Sequence, residues 1–96
     1  MTRQEHLLVI LAEECAEVAH RCSKALRFGL DDVAPGQALT NAQAIEREMC
    51  HLYTVAGLMR EEDIIGPWID TDVVRAKLAA VELWLEHSRK QGTLTV

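Results

Sequence analysis

The chain has 96 residues and a formal net charge of −5 at pH 7, which suits a single domain with a modest core. The acidic balance and the lack of any Lys/Arg run argue against polymeric nucleic acid as a partner. No apolar run is long enough to cross a membrane and the N-terminus is unlike a signal peptide, so we expect no membrane partner and a cytoplasmic location.

The first predicted helix is capped at Thr2 and ends at about Phe28. Thr2 and Glu5 form a capping-box pattern, and Gly29 is a typical C-terminal stop. Steps of three and four along one face are typical of a helix packed against a neighbour, and that face comprises Leu8, Leu11, Cys15, Val18, Cys22 and Ala25. The three cysteines form no CxxC pair, so we expect them to be reduced, buried and structural.

Three glutamates crowd one turn of this helix. Glu17 lies close to both Glu13 and Glu14, because residues three and four apart are neighbours on a helix. Their like charges repel unless a cation lies between them, and a metal ion is the simplest such cation. The alternative is a solvated face on which Arg21 and Lys24 serve as ion-pair partners.

Residues 29–40 contain two Gly and one Pro without a sustained period, which predicts a loop. A loop of this length in so small a protein is often functional. The second helix should begin after a cap at Thr40 or Asn41 and extend to about Arg60.

GPW at residues 66–68 breaks the chain again, and Thr71 or Asp72 can cap a third helix that ends at about Lys90. No strand is convincing, so the chain is expected to be all-α, with three main helices in a bundle. Because 49% of the residues are hydrophobic, we expect homo-oligomerisation to complete that bundle.

Glu48 falls in the middle of the apolar face of the second helix, with His51 at its border. A carboxylate there is costly without a partner. Antiparallel packing of the first two helices would bring Glu48 close to Glu14 and Glu17. Such a cluster suits Mg²⁺ or Mn²⁺, and Mg²⁺ commonly bridges to substrate phosphates. The substrate should therefore contain phosphates.

The first helix carries one cluster of cations, Arg21, Lys24 and Arg27, close to these acidic residues. These side chains could receive the outer phosphates of the substrate. Cations and metal ions at opposite ends of a polyphosphate would stabilise the charge that develops on a departing phosphoryl oxygen.

EECAE, followed by KALRFG, a loop, Asn41 and an ExxH pair, resembles the MazG-like all-α nucleoside triphosphate pyrophosphatase superfamily, whose signature is EExxE followed by ExxD. The resemblance covers nearly the whole chain, residues 1–96 as one domain, and is to the short members found in bacteria and phages. It implies a hydrolase of nucleotide metabolism. With Mg²⁺ or Mn²⁺, such an enzyme converts a nucleoside triphosphate, often a dNTP, to the monophosphate and pyrophosphate. A second subunit would close the metal site, in a dimer or a tetramer.

The resemblance also implies roles for the acidic residues, matched by their positions in the motifs. Glu14, Glu17 and Glu48 would be metal ligands, and His51 would be the fourth. Glu13 and Glu14 would be catalytic, with Glu13 positioning or deprotonating the attacking water or holding a further metal.

Lys24 and Arg27 would contact phosphate, and Asn41 the sugar or base. His51 stands where the family has Asp. Imidazole is a good ligand for transition metals and a poor one for Mg²⁺, so this departure predicts either a preference for Mn²⁺ or weakened catalysis. The spacing between the two motifs is also somewhat longer than is usual in the family.

Two alternatives remain open. The chain could be a nucleotide-binding or assembly relative that no longer hydrolyses its ligand. It could also be a carboxylate and histidine di-metal bundle of another class, such as a di-iron protein, which generally needs two ExxH pairs. Glu48 with His51 would supply one pair, and Glu17 with His20 the other.

Overall fold

The computed structural model describes residues 1–95. The chain is all-α, as predicted, and forms two compact units, Met1–Gly66 and a second that begins at Pro67. Its three helices are α1 (Arg3–Phe28), α2 (Asn41–Glu61) and α3 (Thr71–Lys90). Within the described residues the only β pairing is an isolated bridge between Val33 and Thr40.

The predicted limits of α1 are confirmed. The Thr2 hydroxyl accepts a hydrogen bond from the Glu5 backbone N–H at 3.1 Å, and the Glu5 carboxylate accepts one from the Thr2 N–H at 3.1 Å. Gly29 ends the helix with a φ of 98°, a conformation that glycine adopts without steric cost. Its N–H donates to the Ala25 carbonyl at 2.8 Å.

The first two helices pack antiparallel. At one end of the pair, Arg3 at the start of α1 binds Glu62 just after α2 through two hydrogen bonds of 2.8 Å each. At the other end, the loop of residues 29–40 turns the chain back. The loop is pinned by the Asn41 N–H, which donates to the Asp32 carbonyl at 2.9 Å, and by the Ala42 N–H, which donates to the Leu30 carbonyl at 3.0 Å.

The α2 helix begins as predicted and buries the predicted face. Thr40 is its cap and forms a second capping box with Gln43. Met59 is fully buried, with 0% exposure, and Glu48 is buried at 8%. The apolar face of α2 and the position of Glu48 within it are therefore confirmed.

The predicted face of α1 is only partly correct. Leu8 is 46% exposed, and Cys15, Cys22 and Cys50 are all exposed, so the prediction that the cysteines are buried is wrong for this chain. The side chains that α1 buries wholly or partly against α2 include Leu7, Leu11, Glu14, Val18, Arg21 and Ala25. This face has the same spacing of three and four as the predicted one, so periodicity could not separate the two.

The second unit contains α3. Its cap is Asp70, whose carboxylate accepts hydrogen bonds from the N–H groups of Asp72 at 2.9 Å and Val73 at 3.1 Å. The cap thus lies one residue before Thr71 and two before Asp72, the two predicted caps. The helix ends at Lys90, as predicted. None of the helices within residues 1–95 has both the length and the apolar character that crossing a membrane would require.

Candidate metal centre

Glu48 is the buried centre of a polar cluster between α1 and α2. Its Oε2 lies 3.2 Å from Nδ1 of His51, one turn later on α2. Its Oε1 lies 3.9 Å from Nε of Arg21 on α1. The carboxylate is thus flanked by an imidazole on its own helix and a guanidinium on the neighbouring helix.

Glu14 approaches the same imidazole from α1. Its Oε2 lies 3.7 Å from Nδ1 of His51, a separation longer than that of a hydrogen bond. This oxygen is buried and finds no hydrogen-bond partner among the described residues. A buried carboxylate oxygen without a donor is costly, and a bound cation would satisfy it.

Glu14, Glu48 and His51 together form a three-residue cluster, called here the ligand cluster. Each residue offers one ligand atom, and these atoms lie within 4.8 Å of one another. Atoms that share a metal ion at about 2.0 to 2.2 Å are at most about 4.4 Å apart, so modest side-chain rotations would let all three bind one ion. Two carboxylates with one imidazole suit Mn²⁺ and similar transition metals better than they suit Mg²⁺.

The structure brings together three of the four predicted ligands. The fourth, Glu17, is exposed and lies outside the ligand cluster, and Glu13, the predicted water-activating residue, is exposed as well. Both glutamates lie on the same turns of α1 as Glu14. Glu17 is a neighbour of Glu14 at the exposed edge of the face that packs against α2, whereas Glu13 is turned about 100° from Glu14 around the helix.

Two clefts with partly shared linings lie in the first unit, and one of them reaches the ligand cluster at Glu48. The first cleft, of about 340 Å³, is lined by Glu48, Arg47 and part of the loop. The second, of about 400 Å³, is lined by Lys24, Phe28 and another part of the loop. The residues shared by the two linings are Arg21, Ala34, Gln37 and Asn41. The two clefts therefore form one continuous surface, with a carboxylate end at Glu48 and a cationic end at Lys24.

The predicted phosphate contacts meet around one aromatic ring. Nζ of Lys24 lies 5.8 Å from the ring centroid of Phe28, and Cζ of Arg27 lies 4.8 Å from it. Both separations fall within the range of cation–π attraction. Lys24 also lines the second cleft, whereas Arg27 is exposed on the same turn.

Asn41, predicted to contact sugar or base, has a structural contact as well. It is buried at 7% exposure, and its side-chain amide donates to the Gly29 carbonyl at 2.8 Å. That bond satisfies a carbonyl at the end of α1 and ties the start of α2 to it. Asn41 also lines both clefts.

Arg21 is a residue of this surface for which the sequence predicts no single role. The sequence is compatible with an ion-pair partner for the glutamates or with a phosphate contact. A signal was present, because Arg21 follows Glu14 by seven positions and so shares its helix face. Ala34 and Gln37 carried no such signal, because the position of a loop cannot be read from periodicity.

The chain matches no protein-family model, no curated protein and no solved structure. Its own chemistry consists of a buried carboxylate, a second carboxylate with an unsatisfied oxygen and an imidazole. These three groups converge, and Glu48 also lines the first of the two clefts, both of which carry cations.

Proposed function

We propose that this protein is a MazG-like nucleotide pyrophosphohydrolase that uses Mg²⁺ or Mn²⁺ to convert a nucleoside triphosphate to the monophosphate and pyrophosphate. The observation that carries the proposal is the convergence of Glu48 with the unsatisfied Glu14 oxygen and the His51 imidazole. The motifs EECAE and ExxH supply the link to nucleotides.

In this proposal Glu14, Glu48 and His51 hold the metal, and Glu17 joins them when substrate is bound. The metal would supply charge neutralisation on the phosphates and a more acidic bound water. Glu13 orients the attacking water and accepts its proton. The water oxygen forms a bond to the α-phosphorus, and the bond between that phosphorus and the α–β bridging oxygen breaks. Pyrophosphate leaves with the bridging oxygen.

The cationic end of the surface supports a triphosphate as the ligand. Lys24 and Arg27 lie two to three turns along α1 from Glu17 and would contact the outer phosphates. Their positive charge stabilises the negative charge that develops on pyrophosphate as it leaves. The two adjoining clefts, of about 340 and 400 Å³, have the size of small-molecule sites.

A homo-oligomer, either a dimer or a tetramer, is part of the proposal. Leu26 on α1 is 89% exposed, and further exposed apolar side chains on α3 include Leu78, Val81 and Trp84. So much exposed apolar surface on a small protein suits coverage by a second copy of the chain. That copy would also help to enclose the base, and a cytoplasmic location fits an enzyme of nucleotide metabolism.

The di-metal alternative has less support. Glu48 and His51 form one ExxH pair in the ligand cluster, as that class requires. The second pair would need Glu17 and His20, but both are exposed and neither belongs to the ligand cluster. The ligand cluster is the one group of three potential ligands among residues 1–95 that is close enough to share an ion.

The test is incubation of the full chain with a panel of ribonucleoside and deoxynucleoside triphosphates and Mg²⁺ or Mn²⁺, with monophosphate and pyrophosphate measured separately. Equal amounts of the two products are expected. Orthophosphate release would show that a different bond is cut. No turnover of any nucleotide would contradict the enzymatic proposal and favour a nucleotide-binding relative.

A pair of variants on α2 ties activity to the site. Glu48→Gln removes the charge of the buried carboxylate with little change of shape and should abolish turnover. Glu46→Gln makes the same change at an exposed position two residues away and should leave turnover unchanged. Equal activity of the two variants would remove Glu48 from the site.

A further inference from the structure

Arg21 is a cation placed against the ligand cluster. Its Nε lies 3.9 Å from Oε1 of Glu48, and its side chain is 33% exposed. The Nε atom itself is buried and has no hydrogen-bond acceptor among the described residues. Guanidinium stays protonated at any physiological pH. Arg21 therefore supplies positive charge to Glu48 without being fixed by a hydrogen bond at Nε.

A divalent ion on Glu48 would compete with this guanidinium. Both are cations, and an ion bound to Glu48 would lie within a few ångströms of Arg21, where like charges repel strongly. The Arg21 side chain can also turn into the second cleft, which it lines together with Lys24, one turn later on α1. The planar guanidinium is suited to bidentate contact with a phosphate group there.

We propose that Arg21 is the resident cation of the ligand cluster in the metal-free protein and turns to bind substrate phosphate once a metal ion takes its place. Arg21 then opposes metal binding in the absence of phosphate and favours phosphate binding after the metal has bound. Metal is expected to bind before the phosphate chain. The phosphate half rests on the proposed function, whereas the metal half needs only the ligand cluster.

The test measures two affinities of the full chain, for Mn²⁺ alone by titration calorimetry and for pyrophosphate at saturating Mn²⁺. In Arg21→Met the Mn²⁺ affinity should rise on the order of tenfold, because a nearby positive charge is removed. The pyrophosphate affinity should fall on the order of tenfold, because a charged hydrogen-bonding group is lost. Arg60→Met, at an exposed position of α2, is the matched control for net charge and should change neither affinity.

Arg21→Lys separates charge from shape and serves also if Arg21→Met does not fold. It keeps the positive charge, so its Mn²⁺ affinity should stay near that of the unaltered protein, while its pyrophosphate affinity falls because the bidentate contact is lost. In the unaltered protein, the NMR signal of the Arg21 Nε–H should move when Mg²⁺ is added and move again with pyrophosphate.

Arg21→Met is expected to raise the affinity for Mn²⁺ and to lower the affinity for pyrophosphate, and a change in only one of these directions is informative. Unchanged or weaker Mn²⁺ binding in Arg21→Met would contradict the inference, as would an Arg21 Nε–H signal that does not respond to Mg²⁺. If both affinity changes occur but no nucleoside triphosphate is hydrolysed, the inference about Arg21 stands and the proposed function fails. If hydrolysis occurs and Arg21→Met binds Mn²⁺ no more tightly, the proposed function stands and the inference fails.

Discussion

Nδ1 of His51 lies 3.2 Å from Oε2 of Glu48 on the same helix and 3.7 Å from Oε2 of Glu14 on the neighbouring helix. His51 is thus the group at which the carboxylates of α1 and α2 meet, and its replacement should alter the metal site most directly.

His51→Asp should raise activity with Mg²⁺ relative to activity with Mn²⁺, on the order of tenfold in the ratio, because oxygen replaces an imidazole that suits transition metals. The measurement is initial rate with each metal at saturation. His6→Asp makes the same change at an exposed position of α1 and should leave the ratio as it is. An unchanged ratio in His51→Asp would show that His51 does not select the metal.

Glu14 and Glu17 on α1 should differ in their effect on metal binding, because only Glu14 belongs to the ligand cluster. Glu14→Gln should weaken Mn²⁺ binding on the order of tenfold or more, because Glu14 belongs to the ligand cluster. Glu17→Gln should leave the affinity for Mn²⁺ alone within about threefold, well below the usual effect of removing a direct ligand. Its turnover should nevertheless be lost if Glu17 joins the site with substrate. Equal losses of Mn²⁺ affinity in both variants would place Glu17 among the resting ligands.

The sequence could predict where the helices begin and end because caps are local chemistry. Thr2 with Glu5 and the glycine at position 29 identify the limits of α1 from a few neighbouring residues, and the structure agrees. Glu48 could be placed in the core for the same reason, since its position within an apolar face depends only on helical spacing. Both inferences use contacts or projections within a single helix.

The sequence could not predict in this way which face of α1 packs against α2, or that Arg21 approaches Glu48. Two neighbouring faces of α1 share the same spacing of three and four, and the one that packs against α2 includes the polar residues Glu14 and Arg21. Which residue of α1 lies opposite Glu48 depends on how the loop of residues 29–40 turns. That geometry is determined by contacts such as the hydrogen bond from Asn41 to Gly29.

Asn41→Ala should lower the free energy of unfolding by about 1 kcal/mol, because it removes a part-buried hydrogen bond and leaves the Gly29 carbonyl with only the Asp32 N–H at 3.4 Å. Denaturant unfolding monitored by circular dichroism would measure the loss. Gln37→Ala changes an exposed residue that lines the same two clefts, and it should alter stability by less than about 0.5 kcal/mol. Equal stability of Asn41→Ala and the unaltered protein would leave Asn41 with a ligand contact as its only role.

The ion pair between Arg3 and Glu62 closes the end of the helix pair opposite the loop and should make its stability depend on pH. The hydrogen bonds from Arg3, helped by its charge, hold the pKa of Glu62 below its ordinary value of 4.5. A carboxyl whose pKa is lowered by folding stabilises the folded state above its unfolded pKa, and that contribution disappears as the pH falls through the folded value.

Glu62→Gln should therefore unfold at a lower temperature than the unaltered protein at pH 7, and the difference should vanish well below pH 4.5. The effect will be small, because exposed ion pairs contribute little. Glu61→Gln, one residue earlier, removes the same charge without removing a bond to Arg3 and should show little difference at either pH. A difference for Glu62→Gln that grew as the pH fell would mean that folding raises the pKa of Glu62, and the Arg3 contact would then not be the one that stabilises this end of the helix pair.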